Sequence, residues 1–342
     1  MSNPRFLART ARTLRWPPAA TRTTPIASRQ FQGQSPLRGD SAARTDASIQ
    51  GKTPDASIPA STLLTGNGIS KFNPTLPSFS LAGKVAVITG GARGLGLAMS
   101  QALVMSGADL AIVDLNKDEA VHQAQEIAKL FAQRYPNERT PKVTAHYADV
   151  SSKSDVEASL AEILGEHKEI NNLITCAGFC ENCPAEDFPA ERMRRMLGVN
   201  VEGTYFYSTA VAKHMFERKI PGTMVFIGSI SGSIVNVPQP QALYNASKAA
   251  VRHLAASLAV EWADRGIRIN CLSPGYMLTE IALKAKILVD NPGLKAEWEG
   301  KIPQGHMGAP EELMGAVTFL SSDASRYITG QEIKVDGGYT VC

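Results

Sequence analysis

From residue 84 onward, short runs of apolar and β-branched residues alternate with longer stretches in which apolar positions recur every three or four residues. A short continuous apolar run bounded by turn residues suits a strand buried on both faces, and the longer period marks the apolar side of a helix. Strands are therefore expected at about 84–90, 109–114, 142–147, 171–176, 223–229, 267–272 and 332–336. Helices are expected between them, at about 95–106, 117–134, 153–165, 188–217, 241–264 and 310–321. Strand-then-helix alternation over this length predicts an α/β domain with one doubly wound parallel sheet of seven strands and helices on both faces. Ligands then belong at the carboxyl ends of the strands. The stretch from Tyr276 to Met307, between the sixth strand and the last helix, is a candidate lid over a substrate.

Residues 1–78 show neither period. Over residues 1–45 the chain carries Arg5, Arg9, Arg12, Arg15, Arg22, Arg29, Arg38 and Arg44, many Ser and Thr, and Asp40 as its single acid. That composition is what an organellar presequence looks like, and it predicts mitochondrial import. Phe6, Leu7, Leu14 and Trp16 could form one apolar stripe before Pro17-Pro18 stops it. The other reading is a basic tail that carries no address. Residues 46–78, polar and interrupted by proline, read as linker, so the folded domain is expected over 79–342. Residues 1–60 hold eight arginines and Lys52 against Asp40, Asp46 and Asp55, a local charge of +6 in a chain of +3. The rest carries −3, which argues against a nucleic-acid partner. No apolar run approaches the ~20 residues of a membrane span.

Chemistry is concentrated in a few motifs. Val85-Ala86-Val87-Ile88-Thr89 runs into Gly90-Gly91-Ala92-Arg93-Gly94-Leu95-Gly96, and an apolar-periodic stretch follows. This is the strand–turn–helix context of a phosphate-cradling loop, in which glycines admit close backbone approach and the helix N-terminus attracts negative charge. The next strand ends at Asp114, placed to accept from an adenosine ribose hydroxyl. Tyr244 and Lys248 stand at (i, i+4) and share one helix face. A phenol titrates near pKa ~10, and an ammonium beside it favours the phenolate. The pair can therefore exchange a proton with a carbinol oxygen. Taken alone, it would be an ordinary surface pair.

Thr89-Gly90 through Gly96, Tyr244 with Lys248, Pro274-Gly275 and Val335-Asp336-Gly337-Gly338 together resemble the short-chain dehydrogenase/reductases, whose fold is Rossmann-like. The resemblance covers about residues 79–342. It implies a cofactor site at Gly90, Arg93, Gly94, Leu95, Gly96, Asp114, Asp149, Val150, Ala177, Gly178, Tyr244, Lys248, Pro274, Gly275 and Thr279. It implies catalytic roles for Ser229, Tyr244, Lys248 and Asn200. Some of these residues have plainer uses. Asp149 or its neighbours Ser151 and Ser152 could start the next helix, and Thr279 could be an N-cap. Asn200 in a helix interior often makes a local backbone bond. Ser231 stands as an alternative to Ser229; the latter is preferred as the first serine after the buried strand. Cys176 replaces an asparagine usual in the family, which questions how the fourth strand is tied to its neighbours.

Asp114 repels a 2′-phosphate and argues for NAD, whereas Arg93 could pair with one, so NAD is preferred and NADP is possible. Cys176, Cys180 and Cys183 suggest a metal, but no histidine cluster supplies a fourth ligand, and none is expected. The segments 178–182, 236–241 and 272–279 look like those of the fungal sugar-alcohol members of the family, D-arabinitol 2-dehydrogenases above all. Glu181, Asn182, Gln239 and Gln241 would then surround a small polyol or ketose, with D-arabinitol and D-ribulose as the expected pair and xylulose, mannitol or sorbose chemistry nearby. A reductase of 3-oxoacyl or other carbonyl compounds and a non-catalytic cofactor sensor remain open. The resemblance also implies a homotetramer through the helices carrying Asn200 and Tyr244.

Overall fold

Seven strands, β1 (Val85–Thr89), β2 (Asp109–Asp114), β3 (Val143–Tyr147), β4 (Asn172–Thr175), β5 (Gly222–Ile227), β6 (Ile267–Pro274) and β7 (Glu332–Val335), form one parallel sheet in the order β3-β2-β1-β4-β5-β6-β7. The computed structural model describes residues 75–279 and 292–342. The presequence, almost all of the linker and the middle of the candidate lid (280–291) lie outside the described residues.

The apolar runs build this sheet because both of its faces are covered. Alternate side chains of one strand enter different cores. Met224 and Phe226 of β5 join Val87, Val113, Tyr207, Val251 and Ile269 on one face. Val225 and Ile227 join Ile88, Met99, Leu103, Ile112 and Leu320 on the other. Phe226 has no exposed surface, and burying such a side chain stabilises the fold by about 2–3 kcal/mol. Helices α1 (Gly94–Met105), α2 (Lys117–Arg134), α3 (Lys153–His167), α4 (Ala190–Leu197), α5 (Gly203–Arg218), α6 (Ala242–Trp262), α7 (Pro292–Lys301) and α8 (Met314–Ser321) complete the described elements. Strand order reverses between β1 and β4, and the crevice at that switch point is where such sheets bind ligands.

Two helical expectations are corrected. The single helix expected at 188–217 is α4 and α5 joined by a π turn over Gly198–Glu202, in which the Gly203 N–H bonds the Gly198 carbonyl. Periodicity could not show this, because one extra residue in a turn hardly disturbs the apolar spacing. Such turns occur mostly at functional positions. The candidate lid is also partly regular: α7 buries Leu294 and Trp298, with Ile302 one turn further on.

Candidate active site

The loop between β1 and α1 is shaped to receive phosphate. Gly90 adopts φ +66°, and a Cβ there would stand 2.9 Å from the Ala177 Cα. A Cβ on Gly96 would fall on the Gly90 carbonyl. Both positions require glycine, and the backbone cradle they leave suits a pyrophosphate at the N-terminus of α1. Gly94 and Leu95 open that helix, with Arg93 as its N-cap. Asp114 closes β2 and is 6% exposed. Its Oδ2 accepts from the Ala92 N–H (3.2 Å) and its Oδ1 from the Asn116 N–H (3.0 Å), which fixes the carboxylate beside the glycine loop. Arg93, Asp114 and Lys117 line a cleft of about 440 Å³ there. These residues fit the adenosine and phosphate parts of a nicotinamide dinucleotide.

Asp149 follows β3 and accepts from the Ser151 N–H and hydroxyl, while Ser152 caps α3. The capping of α3 therefore falls to Ser152 and not to Asp149. Val150 is buried under the π turn, where a Cβ on Gly203 would come within 2.7 Å of its Cγ2. The question raised by Cys176 is answered by Thr89, whose hydroxyl accepts from the N–H groups of both Cys176 and Ala177 at 3.2 Å. The threonine ties β4 to β1 where the family's asparagine side chain is missing.

Asn200 reaches out of the π turn. Its Oδ1 accepts from the Phe179 N–H, and its Nδ2 donates to the Phe179 carbonyl and to Ser247 Oγ (3.0 Å each). The bond is to backbone, yet across the site rather than local. Lys248 is 7% exposed, donates to the Ile227 carbonyl at 2.8 Å, and stands 5.8 Å from the centre of the Tyr244 ring. A Cβ on Gly178 would lie 3.2 Å from Asn200 Oδ1 and 3.6 Å from Lys248 Nζ, so the β4 exit passes directly over both.

The two serines separate clearly. Ser229 Oγ accepts from the Ser231 N–H at 3.1 Å and stands near enough to Tyr244 to favour its phenolate, whereas Ser231 Oγ accepts from Gln241 Nε2 at 3.1 Å. Of the two serines, Ser229 is the one that acts on the tyrosine. Burial raises the Tyr244 phenol above its ordinary range, the nearby Cys180 adds to this, and Ser229 opposes it. Burial likewise lowers Lys248. Desolvation is the largest influence on the phenol, and it acts in the direction opposite to the depression expected from a neighbouring ammonium. Cys176 is pushed up to about 12 and Cys180 to about 11, both by burial with Lys248 opposing.

Pro274 ends β6, and Gly275 approaches so closely that a Cβ there would stand 2.7 Å from the Asp336 Cα. The aspartate of the closing Val-Asp-Gly-Gly motif caps the Gly338 and Thr340 N–H groups. Thr279 is the last described residue before the gap.

Two polar walls were only partly legible. Gln241 Nε2 donates to Ser231 Oγ, Asn236 Oδ1 (2.8 Å) and Asn245 Oδ1 (2.9 Å), and Cys180 Sγ lies 3.8 Å from its Oε1. Tyr276 OH accepts from Asn236 Nδ2 (3.1 Å) and Gln239 Nε2 (2.9 Å). Its ring stacks on Trp298 at 4.5 Å and meets Tyr339 edge-on at 5.2 Å. Glu181 is held in an ion pair with Arg192, and Asn182 is exposed. Trp298 and Tyr339 carry no motif; the spacing of Leu294, Trp298 and Ile302 was the available signal. Among the described residues no group of His, Cys, Asp and Glu is arranged to hold a metal.

Known proteins carry the same pattern. A family model described as enoyl-(acyl carrier protein) reductase matches residues 90–340. The D-arabinitol 2-dehydrogenase (ribulose-forming) of Candida tropicalis is 40% identical over 273 residues, 78% of this chain and 96% of that one. The NADH-dependent L-xylulose reductase of Ambrosiozyma monospora is 37% identical, over 78% of this chain and 98% of its own. Among solved structures, a gluconate 5-dehydrogenase from Burkholderia cenocepacia in complex with NADP and tartrate superposes with a TM-score of 0.70 at 32% identity, covering 78% and 98% of the two chains. A glycine cradle beside a fixed aspartate, a tyrosine with a buried lysine one turn on, and matches of this extent lead to one assignment: the chain belongs to the short-chain dehydrogenase/reductase family, as an NAD(P)-dependent enzyme acting on CH–OH groups.

Proposed function

We propose that this polyol dehydrogenase oxidises D-arabinitol to D-ribulose, with NAD preferred over NADP. The observation that carries the reading is the grouping of Tyr244 with the buried Lys248, 5.8 Å from its ring, and Asn200, with Gln241, Asn236 and Tyr276 forming a polar wall nearby. Tyr244 Oη takes the proton of the reacting hydroxyl, and Ser229 Oγ holds that oxygen in place. Lys248 and Asn200 fix the tyrosine's surroundings. The cofactor, when bound, accepts the hydride.

A polyol presents several hydroxyls, and buried amides need partners of that kind. An acyl chain would offer no donor to the unpaired Gln239 Oε1, which disfavours the 3-oxoacyl alternative. The D-arabinitol dehydrogenase and L-xylulose reductase among the relatives support the substrate class. The fixed Asp114 carboxylate supports NAD, because a 2′-phosphate would meet a negative charge there. The decisive experiment offers D-arabinitol, xylitol, mannitol and acetoacetyl thioesters with NAD and NADP, followed at the nicotinamide absorbance. Turnover restricted to thioesters overturns the reading, and turnover of any of these excludes the cofactor-sensor alternative.

We also propose a homotetramer, supported by the exposed Tyr205 on α5 and Val260 on α6, and tested by light scattering. Import into mitochondria is proposed on the composition of residues 1–45, and a reporter carrying residues 1–78 tests it.

A further inference from the structure

Two buried polar atoms beside Tyr276 have no hydrogen-bond partner among the described residues: Gln239 Oε1 and Trp298 Nε1. The residues are 8% and 6% exposed. Buried polar atoms in folded proteins are nearly always paired, so two orphans on residues that both touch Tyr276 point to a missing partner. The same tyrosine organises both. Gln239 Nε2 donates to its hydroxyl at 2.9 Å, and the Trp298 ring stacks on its ring. From Tyr276 OH the polar chain continues through Asn236 to Gln241 and on to Cys180, which lies in the electrostatic reach of Tyr244. Gln239 is thus linked through hydrogen bonds as far as Cys180, and Trp298 joins the same tyrosine by stacking.

Their chemistry is complementary. The amide oxygen accepts only, and the indole N–H donates only. A hydroxyl satisfies both at once. We propose that Gln239 and Trp298 form a subsite for the terminal hydroxyl of the polyol at the end remote from the reacting carbon. This assignment rests on the polyol reading above and adds to it a reason for preferring one chain length. The subsite lies between the loop that precedes α6 and helix α7.

The test uses the full-length enzyme with NAD, D-arabinitol and 5-deoxy-D-arabinitol, which lacks the remote hydroxyl. The wild type is expected to favour D-arabinitol by about 10-fold or more in kcat/KM, since a site built for a hydroxyl discriminates against its absence. Trp298→Phe keeps the stacked ring and loses the N–H, and Gln239→Met keeps the volume and loses the acceptor together with the amide's bond to Tyr276. Each should raise KM for D-arabinitol about 10-fold with little change in kcat, the pattern of lost uniform binding. Each should also erase most of the preference over the deoxy substrate, with NAD affinity and the urea midpoint near wild type. Variants that discriminate as the wild type does, or that lose stability and NAD affinity in step with activity, overturn the subsite alone. A wild type that oxidises neither polyol overturns the polyol reading and the subsite with it.

Discussion

Asn200 clasps the main chain of Phe179 in both directions, accepting its N–H at 3.1 Å and donating to its carbonyl at 3.0 Å. The same amide nitrogen reaches Ser247, the residue before Lys248. One side chain thus joins the π turn, the exit of β4 and the helix of the catalytic pair. A regular helix would aim this residue elsewhere, which gives the π turn its purpose. Asn200→Ala leaves both Phe179 groups without their partner and is expected to cost about 2 kcal/mol in urea unfolding. Activity should fall at least tenfold, because Lys248 loses its support. A variant whose urea midpoint matches the wild type would show that the clasp does not hold the site together.

Tyr244 is pushed toward its neutral form by burial, and so is Lys248. Oxidation of an alcohol needs the phenolate, and reduction of a ketone needs the phenol. Oxidation should therefore accelerate as pH rises over the alkaline range, and reduction should slow. Tyr244→Phe is expected to lower kcat by about 10²–10⁴, with NAD binding by fluorescence titration nearly intact. Lys248→Met should shift the oxidation profile further alkaline. A profile that stays in place would remove the lysine from the proton chemistry.

Cofactor choice turns on Asp114, whose carboxylate is pinned by the Ala92 and Asn116 N–H groups while Arg93 and Lys117 line the same cleft. Asp114→Ser removes the repulsion and leaves both cations. The ratio of kcat/KM for NAD over NADP should fall by about 10- to 100-fold, since one adverse charge contact is worth roughly 1–3 kcal/mol at a half-buried site. An unchanged ratio would shift the discrimination to a residue other than Asp114.

Much of the fold was legible because its signals repeat. The inner strands β1, β2, β4 and β5 are apolar runs bounded by turn residues, the edge strands β3 and β7 are shorter on apolar residues, and spacing by helices forces parallel order. The glycine loop was legible because Gly90 and Gly96 answer to backbone geometry that no other residue satisfies. Other features depend on contacts between distant segments. Thr89 and Cys176 are 87 residues apart, and nothing near either one announces that a hydroxyl would replace the missing asparagine. The burial that raises the Tyr244 phenol is a three-dimensional quantity. The pairing of Tyr276 with Trp298 crosses from β6 to α7, and the polar composition of the intervening chain hid the helix.

A last prediction concerns the edge of the sheet, away from the active site. Thr144 Oγ1 on β3 lies 2.8 Å from Nε2 of both His146 and His167, and His146 Nδ1 faces Glu162 at 3.4 Å. A hydroxyl carries one proton, so it donates to one ring and accepts from the other. Burial lowers His167 from its ordinary 6.5, Lys142 adds to this, and Asp109 and Glu166 oppose it. The unfolded chain consequently binds more protons than the folded one once the pH drops below about 6.5, and stability must decline in that direction. His214, also lowered chiefly by burial, acts with the same sign. Urea unfolding at pH 7.5 and pH 5 should therefore show a lower midpoint in acid. His167→Gln, which retains a hydrogen-bonding side chain but cannot take up a proton, should narrow the gap without closing it, since His214 still contributes. A gap of full size in the variant would place the acid sensitivity elsewhere in the molecule.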